Sequence, residues 1–172
     1  ASRYLREVGP LFADRGIVCD MIAGIAGQLA APDCPYDAWS LSAVFYGDEP
    51  VVAALHTPPH AMHITAAADA EIWLLLDAHP NVPALFGPDG TVRRFAELSG
   101  RPHAVESRLR LFETRQVIAP RPSPGALRPA TEADLPLLAA WFDAFQRDVN
   151  EAVPKAGEWM AHRYMGRLFL WA

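Results

Sequence analysis

Apolar positions along the chain fall into two periods, and the switches between them set the expected elements. Residues 2–14 read as a short helix interrupted at Gly9-Pro10. From about Arg15 to Ala31, Val18, Ile22, Ile25 and Leu29 recur at helical spacing, an amphipathic seam that Pro32 and Pro35 end. Trp39, Leu41, Ala43 and Phe45 then alternate with Ser40, Ser42, Val44 and Tyr46, the period of a strand. Gly47-Asp48-Glu49-Pro50 turns the chain, and Val51–Leu55 returns as the second arm of a hairpin. Ala61–Thr65 offers a third strand and Asp69–Ala78 a helix stopped before Pro80. Val82–Phe86 is a short strand, and Asp89–Leu98 a helix ended by Gly100. Ala104–Ile118 is expected to be a long strand, with Val105, Leu109 and Leu111 on one parity and Arg108 and Arg110 on the other.

Residues 119–124 alternate Pro with other residues and run into Gly125, which predicts a stiff extended connector between residues 1–118 and 125–172. Beyond it, Leu127 and Arg128 form a short extended segment closed by Pro129. Thr131 and Asp134 have capping-box spacing, with Asp where Glu or Gln is usual. Leu135, Leu138, Phe142, Phe145 and Val149 make one apolar helical face, widened by Leu137 and Trp141. Pro136 falls in the first turns and removes a backbone donor, which moves the expected helix start from Thr131 to Asp134. Glu158–Met165 reads as a short helix and Arg167–Trp171 as a buried strand, so the order is strand, helix, helix, strand.

Composition narrows the function classes. The 172 residues are 51% hydrophobic and 20% charged, enough for a packed core in one full domain and part of another. A net charge of −5 argues against a surface that tracks nucleic-acid phosphates. No apolar run approaches the ~20 residues of a membrane span. Cys19 and Cys34 are too few for a disulfide framework, which predicts a reduced, cytoplasmic setting. His56, His60 and His63 have spacing that could hold zinc, but Pro58-Pro59 forbids the helix that an i, i+4 pair requires. They are expected to decorate a hairpin turn, with no metal site.

The run Leu127-Arg128-Pro129-Ala130-Thr131-Glu132-Ala133-Asp134-Leu135, with Trp141, Phe145 and the closing Gly166-Arg167-Leu168-Phe169-Leu170-Trp171, resembles the opening of a GNAT N-acetyltransferase domain. In that family these residues form the first strand, two helices beside the acceptor cleft, and the second strand. Residues 1–118 resemble, more loosely, the degenerate GNAT-like domain that precedes the catalytic one in a bacterial subgroup. The echoes are Ile25-Ala26 and Leu55-His56-Thr57-Pro58-Pro59. The resemblance implies an α/β fold of α+β type: a mixed, largely antiparallel sheet flanked by helices, followed by the start of a second GNAT domain. It implies acetyl-CoA as cofactor and transfer of the acetyl group to an amine of a small molecule or peptide.

The family holds acetyl-CoA in a Gln/Arg-x-x-Gly-x-Gly/Ala loop, and no such stretch occurs in these residues. The chain as given is therefore expected to be truncated and to lack the cofactor site. In the N-terminal part the corresponding place is His63–Asp69, which has no glycine and carries Asp69 where a phosphate would lie. No catalytic residue can be carried over. For the acceptor side, Asp148 and Glu151 bracket the join of the two helices and could attract a cationic amine, while Phe145 and Trp171 could wall an apolar pocket. Read as residues alone, the two acids are solvated charges at a helix end and the two aromatics are core. The strand at 167–171 needs covering by further residues, by a second copy of the chain, or by another partner strand. The alternative to an acetyltransferase is a non-catalytic binding or dimerisation module on the same scaffold.

Overall fold

The computed structural model describes residues 1–15, 19–32, 34, 36–119, 121–149 and 156–172. The chain divides into two compact units, Ala1–Glu113 and Thr114–Ala172. Both combine helices with strands, a mixed α/β architecture.

In the first unit a four-stranded sheet runs in the order β1 (Ser40–Tyr46), β2 (Glu49–His56), β3 (Met62–Ile64) and β4 (Leu85–Phe86). The first three strands are antiparallel neighbours, and β4 lies parallel to β3. Alternation along β2 splits the core in two, because successive side chains point to opposite faces. Ala53 and Leu55 pack with Tyr4, Val8 and Leu11 of α1 (Ser2–Arg15) and with Ile22, Ala26 and Leu29 of α2 (Asp20–Ala30). Val52 and Ala54 face the other way, joining Val44, Met62 and Ile64 against Ile72 and Leu75 of α3 (Asp69–Ala78) and Phe95 of α4 (Asp89–Leu98). Gly47, at φ +62°, makes the hairpin turn between β1 and β2.

Two expectations for this unit fail. Pro10 does not interrupt α1, which continues through it to Arg15. Burial of Tyr4, Val8 and Leu11, at about 1.5–3 kcal/mol for each apolar side chain, outweighs the ~3 kcal/mol of an interior proline. Residues 104–118 form no strand and remain exposed along their length. Alternation needs an edge to pair with, and the nearest in sequence, β4, is two residues long between Pro83 and Gly87-Pro88.

In the second unit β5 (Leu127–Pro129) pairs antiparallel with β6 (Phe169–Trp171), with Arg128 opposite Leu170. Between them come a 3₁₀ turn at Glu132–Asp134, then α5 (Leu135–Asp148) and α6 (Ala156–Tyr164). The Thr131–Asp134 box forms: the Asp134 carboxylate accepts from the Thr131 N–H and hydroxyl at 2.8 and 2.9 Å. It also takes both arms of the Arg128 guanidinium at 2.8 Å. The guanidinium first, and the Thr131 donors after it, hold Asp134 well below the usual carboxylate range. That fork ties β5 to the start of α5.

Helix α6 closes against α5 at Gly157, whose N–H donates to Asp143 Oδ1 at 2.9 Å. A Cβ at Gly157 would collide with the Ala139 carbonyl oxygen and the Asp143 carboxylate. The core is small: Leu138, Ala161 and Leu170, with Leu135, Phe142, Met165 and Leu168 half-buried around them. The strand at the end is therefore not buried as a whole. Leu170 faces the helices, whereas Phe169 and Trp171 are 58% and 59% exposed.

Gly157→Ala is expected to destabilise the second unit by about 1–3 kcal/mol, the usual size of an overpacking penalty, in urea unfolding followed by tryptophan fluorescence. Gly166→Ala, where nothing lies within 4 Å of the added carbon, is expected to stay within about 0.5 kcal/mol of the parent.

Candidate functional site

Phosphate binding at a helix start requires free backbone N–H groups that converge on the anion. The segment from β3 to α3 is the natural place for one, and there the chain engages the N–H groups of Thr65, Ala67 and Ala68. The Thr65 N–H donates to the Ala53 carbonyl oxygen at 3.0 Å, and the Thr65 hydroxyl accepts from the Ala53 N–H at 3.0 Å. The Ala67 N–H donates to Thr91 Oγ1 at 3.2 Å. The Ala68 N–H donates to Glu71 Oε2 at 2.8 Å, and the Tyr46 hydroxyl donates to the other oxygen of the same carboxylate.

Glu71 is buried, and the Tyr46 bond, ahead of the backbone donor at Ala68, keeps its carboxyl below the usual range. The chain thus supplies its own anion to the positive end of α3. An open depression of about 350 Å³ borders this place, lined by Val51, Val52, Ala66, Ala67, Ala68 and Glu71. A pyrophosphate approaching it would meet a carboxylate and donors already engaged. These residues do not fit acetyl-CoA.

The signal for this closure was partly present in the sequence. Glu71 lies three residues after Ala68, the spacing of a capping residue, but alanine at the first position hides it. Tyr46 and Thr91 reach the segment across the fold, and no local pattern announces them.

His56, His63 and His79 lie in or beside the sheet of the first unit. His79, which ends α3, has Nε2 at 2.7 Å from Ser42 Oγ, in hydrogen-bond contact. Burial, then the charge of His56, pushes its pKa down. His63 packs against Phe86, and its Nδ1 is buried without a hydrogen-bond partner. Burial, then His60, lowers its pKa as well. His56 Nε2 donates to the His60 carbonyl oxygen at 3.1 Å. Among the described residues no group of three His, Cys, Asp or Glu side chains has the geometry to hold a metal ion. Both cysteines are free thiols.

On the acceptor side the expected residues separate. Phe145 and Asp148 are three apart at the C-terminal end of α5, on one face of the helix, and both are exposed. Phe145 is not core, because Leu138 and Phe142 fill the short contact with α6 and the next turn runs past it. A carboxylate at a helix C-terminus is electrostatically disfavoured, so Asp148 gains nothing from its own helix. Trp171 is exposed too, and its indole N–H donates to the Pro124 carbonyl oxygen at 2.9 Å. It lies over Gly125, which adopts φ +115°. Glu151 falls outside the described residues.

A lowered histidine pKa has a definite sign. The unfolded chain takes up protons near pH 6.5, before His63 and His79 do so in the fold, so their contribution is complete above that pH and is lost as pH falls below it. Stability of the first unit is expected to drop between about pH 7 and pH 5, measured as the urea midpoint. His63→Leu is expected to flatten that slope, and a slope equal to the parent's would show that His63 titrates freely.

The described helices include none long and apolar enough to cross a membrane. Compared with known protein families, curated proteins and solved structures, the chain matches none.

Proposed function

We propose that the chain belongs to an acetyl-CoA-dependent N-acetyltransferase of the GNAT type, and that its second unit opens the acceptor side of the catalytic domain. The observation that supports this most is the order β5, α5, α6, β6, with β5 and β6 adjacent and antiparallel. It is the order that the resemblance at Leu127–Leu135 and Gly166–Trp171 implies. Asp148 and Phe145, exposed together at the end of α5, suit a cationic amine with an apolar substituent: the carboxylate attracts the ammonium and the ring shields its chain. The first unit acts as a structural companion, since the start of α3 is closed by Glu71, Thr91 and Tyr46.

The start of α3 does not fit the coenzyme, so no step of acetyl transfer runs through it. The polypeptide alone is expected to release no thiol from acetyl-CoA above the blank with a panel of primary amines, and release would overturn the closed-site assignment. The family reading has a separate test. The reading frame after the codon for Ala172 is expected to encode a Gln/Arg-x-x-Gly-x-Gly/Ala loop within a few dozen codons. A stop codon there would contradict the enzymatic reading.

A further inference from the structure

We propose that Ser42 and His79 of the first unit form a nucleophile–base pair that cleaves short, uncharged esters through an acyl-serine. The pair lies at the opposite end of α3 from Glu71 and is independent of the acetyl-transfer reading. It starts from one distance: Ser42 Oγ is 2.7 Å from His79 Nε2, within the reach that proton transfer requires. Both residues are held by regular structure. Ser42 lies within β1 opposite Ala54, and Val44 and Ala54, which share its side of the sheet, pack against α3 and α4. His79 ends α3, where its N–H donates to the Leu75 carbonyl oxygen at 2.8 Å. The two meet across 37 positions of sequence, through the packing of helix on sheet.

The surroundings suit acyl transfer. Burial, then the charge of His56, lowers the His79 pKa, so the imidazole is neutral at about pH 7 and free to take the hydroxyl proton. His56 stands on the same side of β2, two positions beyond Ala54, with its Nε2 turned to the His60 carbonyl oxygen. Ser42, His56 and His79 are each half-buried, which leaves them within reach of a small solute. Strand β1 is also the edge of its sheet and offers a donor for the oxyanion. Ala53 directs its backbone groups to Thr65, so Ala54 and Ser42 face each other and the Ala43 N–H points out of the open edge. Among the described residues no Lys or Arg is bonded to Ser42, His56 or His79. An uncharged ester therefore suits the site, and a polyanion such as acetyl-CoA does not.

Water is the only co-reactant the chemistry needs. Ser42 Oγ attacks the ester carbonyl carbon as its proton passes to His79 Nε2, and the oxyanion faces the Ala43 N–H. The bond to the leaving oxygen breaks, and the imidazolium gives its proton to that oxygen as the alcohol departs. Water then attacks the acyl-serine with His79 again as base, releasing the carboxylic acid and restoring the Ser42 hydroxyl.

An alkyl fluorophosphonate tests the nucleophile on the full chain, since attack expels fluoride and leaves a stable phosphonyl-serine. The chain is expected to gain a single adduct by intact mass, mapped to Ser42 by peptide sequencing and absent after heat denaturation. His79→Gln keeps a hydrogen-bonding partner for Ser42 but no base, and is expected to slow labelling about 100-fold with unchanged far-UV circular dichroism. Ser42→Ala is expected to lose the hydrolysis of p-nitrophenyl acetate. His103→Gln, at an exposed histidine remote in sequence from the pair, is expected to retain it, which separates serine catalysis from attack by any surface imidazole. Should His79→Gln disturb the fold, the adduct on the parent and the Ser42→Ala hydrolysis still decide. No adduct at Ser42, labelling of a folded His79→Gln at the parental rate, parental hydrolysis in Ser42→Ala, or loss of hydrolysis in His103→Gln would each overturn the proposal.

Discussion

The pairing of Leu127–Pro129 with Phe169–Trp171 is the constraint on which the second unit depends. It joins two segments 40 residues apart, and the closure entropy of that loop has to be offset by the small core around Leu138, Ala161 and Leu170 and the backbone bonds between the strands. The Arg128–Asp134 fork and the Thr131 cap shorten the effective loop by fixing the exit of β5 onto the start of α5. Gly157 then lets α6 come close enough for Ala161 to reach Leu138. Each device is local, yet all of them serve to bring Leu170 back over the helices. What remains outside is an aromatic face of Phe169 and Trp171 beside Leu127, and the apolar rings of Trp141 and Phe145 on α5.

The first unit has a different character. Its sheet is covered on both faces, and side chains of the unit itself engage the backbone at the start of α3. The start of α3 shows this best: Thr65, Thr91, Glu71 and Tyr46 use bonds that a phosphate would need. A helix N-terminus is a generic anion site until the chain fills it. Here the Glu71 carboxylate is buried and held below the usual carboxylate range, so the start of α3 carries an anion of its own. Asp148 presents the opposite situation, an exposed carboxylate at the negative end of its helix.

Local chemistry was legible in the sequence. The helices at Asp69–Ala78 and Asp89–Leu98 were marked by their flanking Pro and Gly residues, and the Thr131–Asp134 box by its spacing. The β1–β2 hairpin followed from alternation around Gly47. What periodicity does not convey is whether a partner surface exists. Val105, Leu109 and Leu111 alternate as a strand would, but no edge receives them. Phe145 and Trp171 lie on apolar patterns that outrun the short core, so they stay exposed. Pro10 marked a break that burial overrode. Glu71 was hidden by the alanine at its cap position, and Tyr46 and Thr91 act across 25 and 24 residues of sequence.

The central claim is that a sheet runs through the last 46 residues, Leu127 to Ala172. Two-dimensional NMR of the isotope-labelled chain tests it most directly. The account predicts cross-strand contacts between the backbones of Arg128 and Leu170, with extended-strand chemical shifts at both. Helical shifts at Phe169–Trp171, with no contact to Leu127–Pro129, would contradict it.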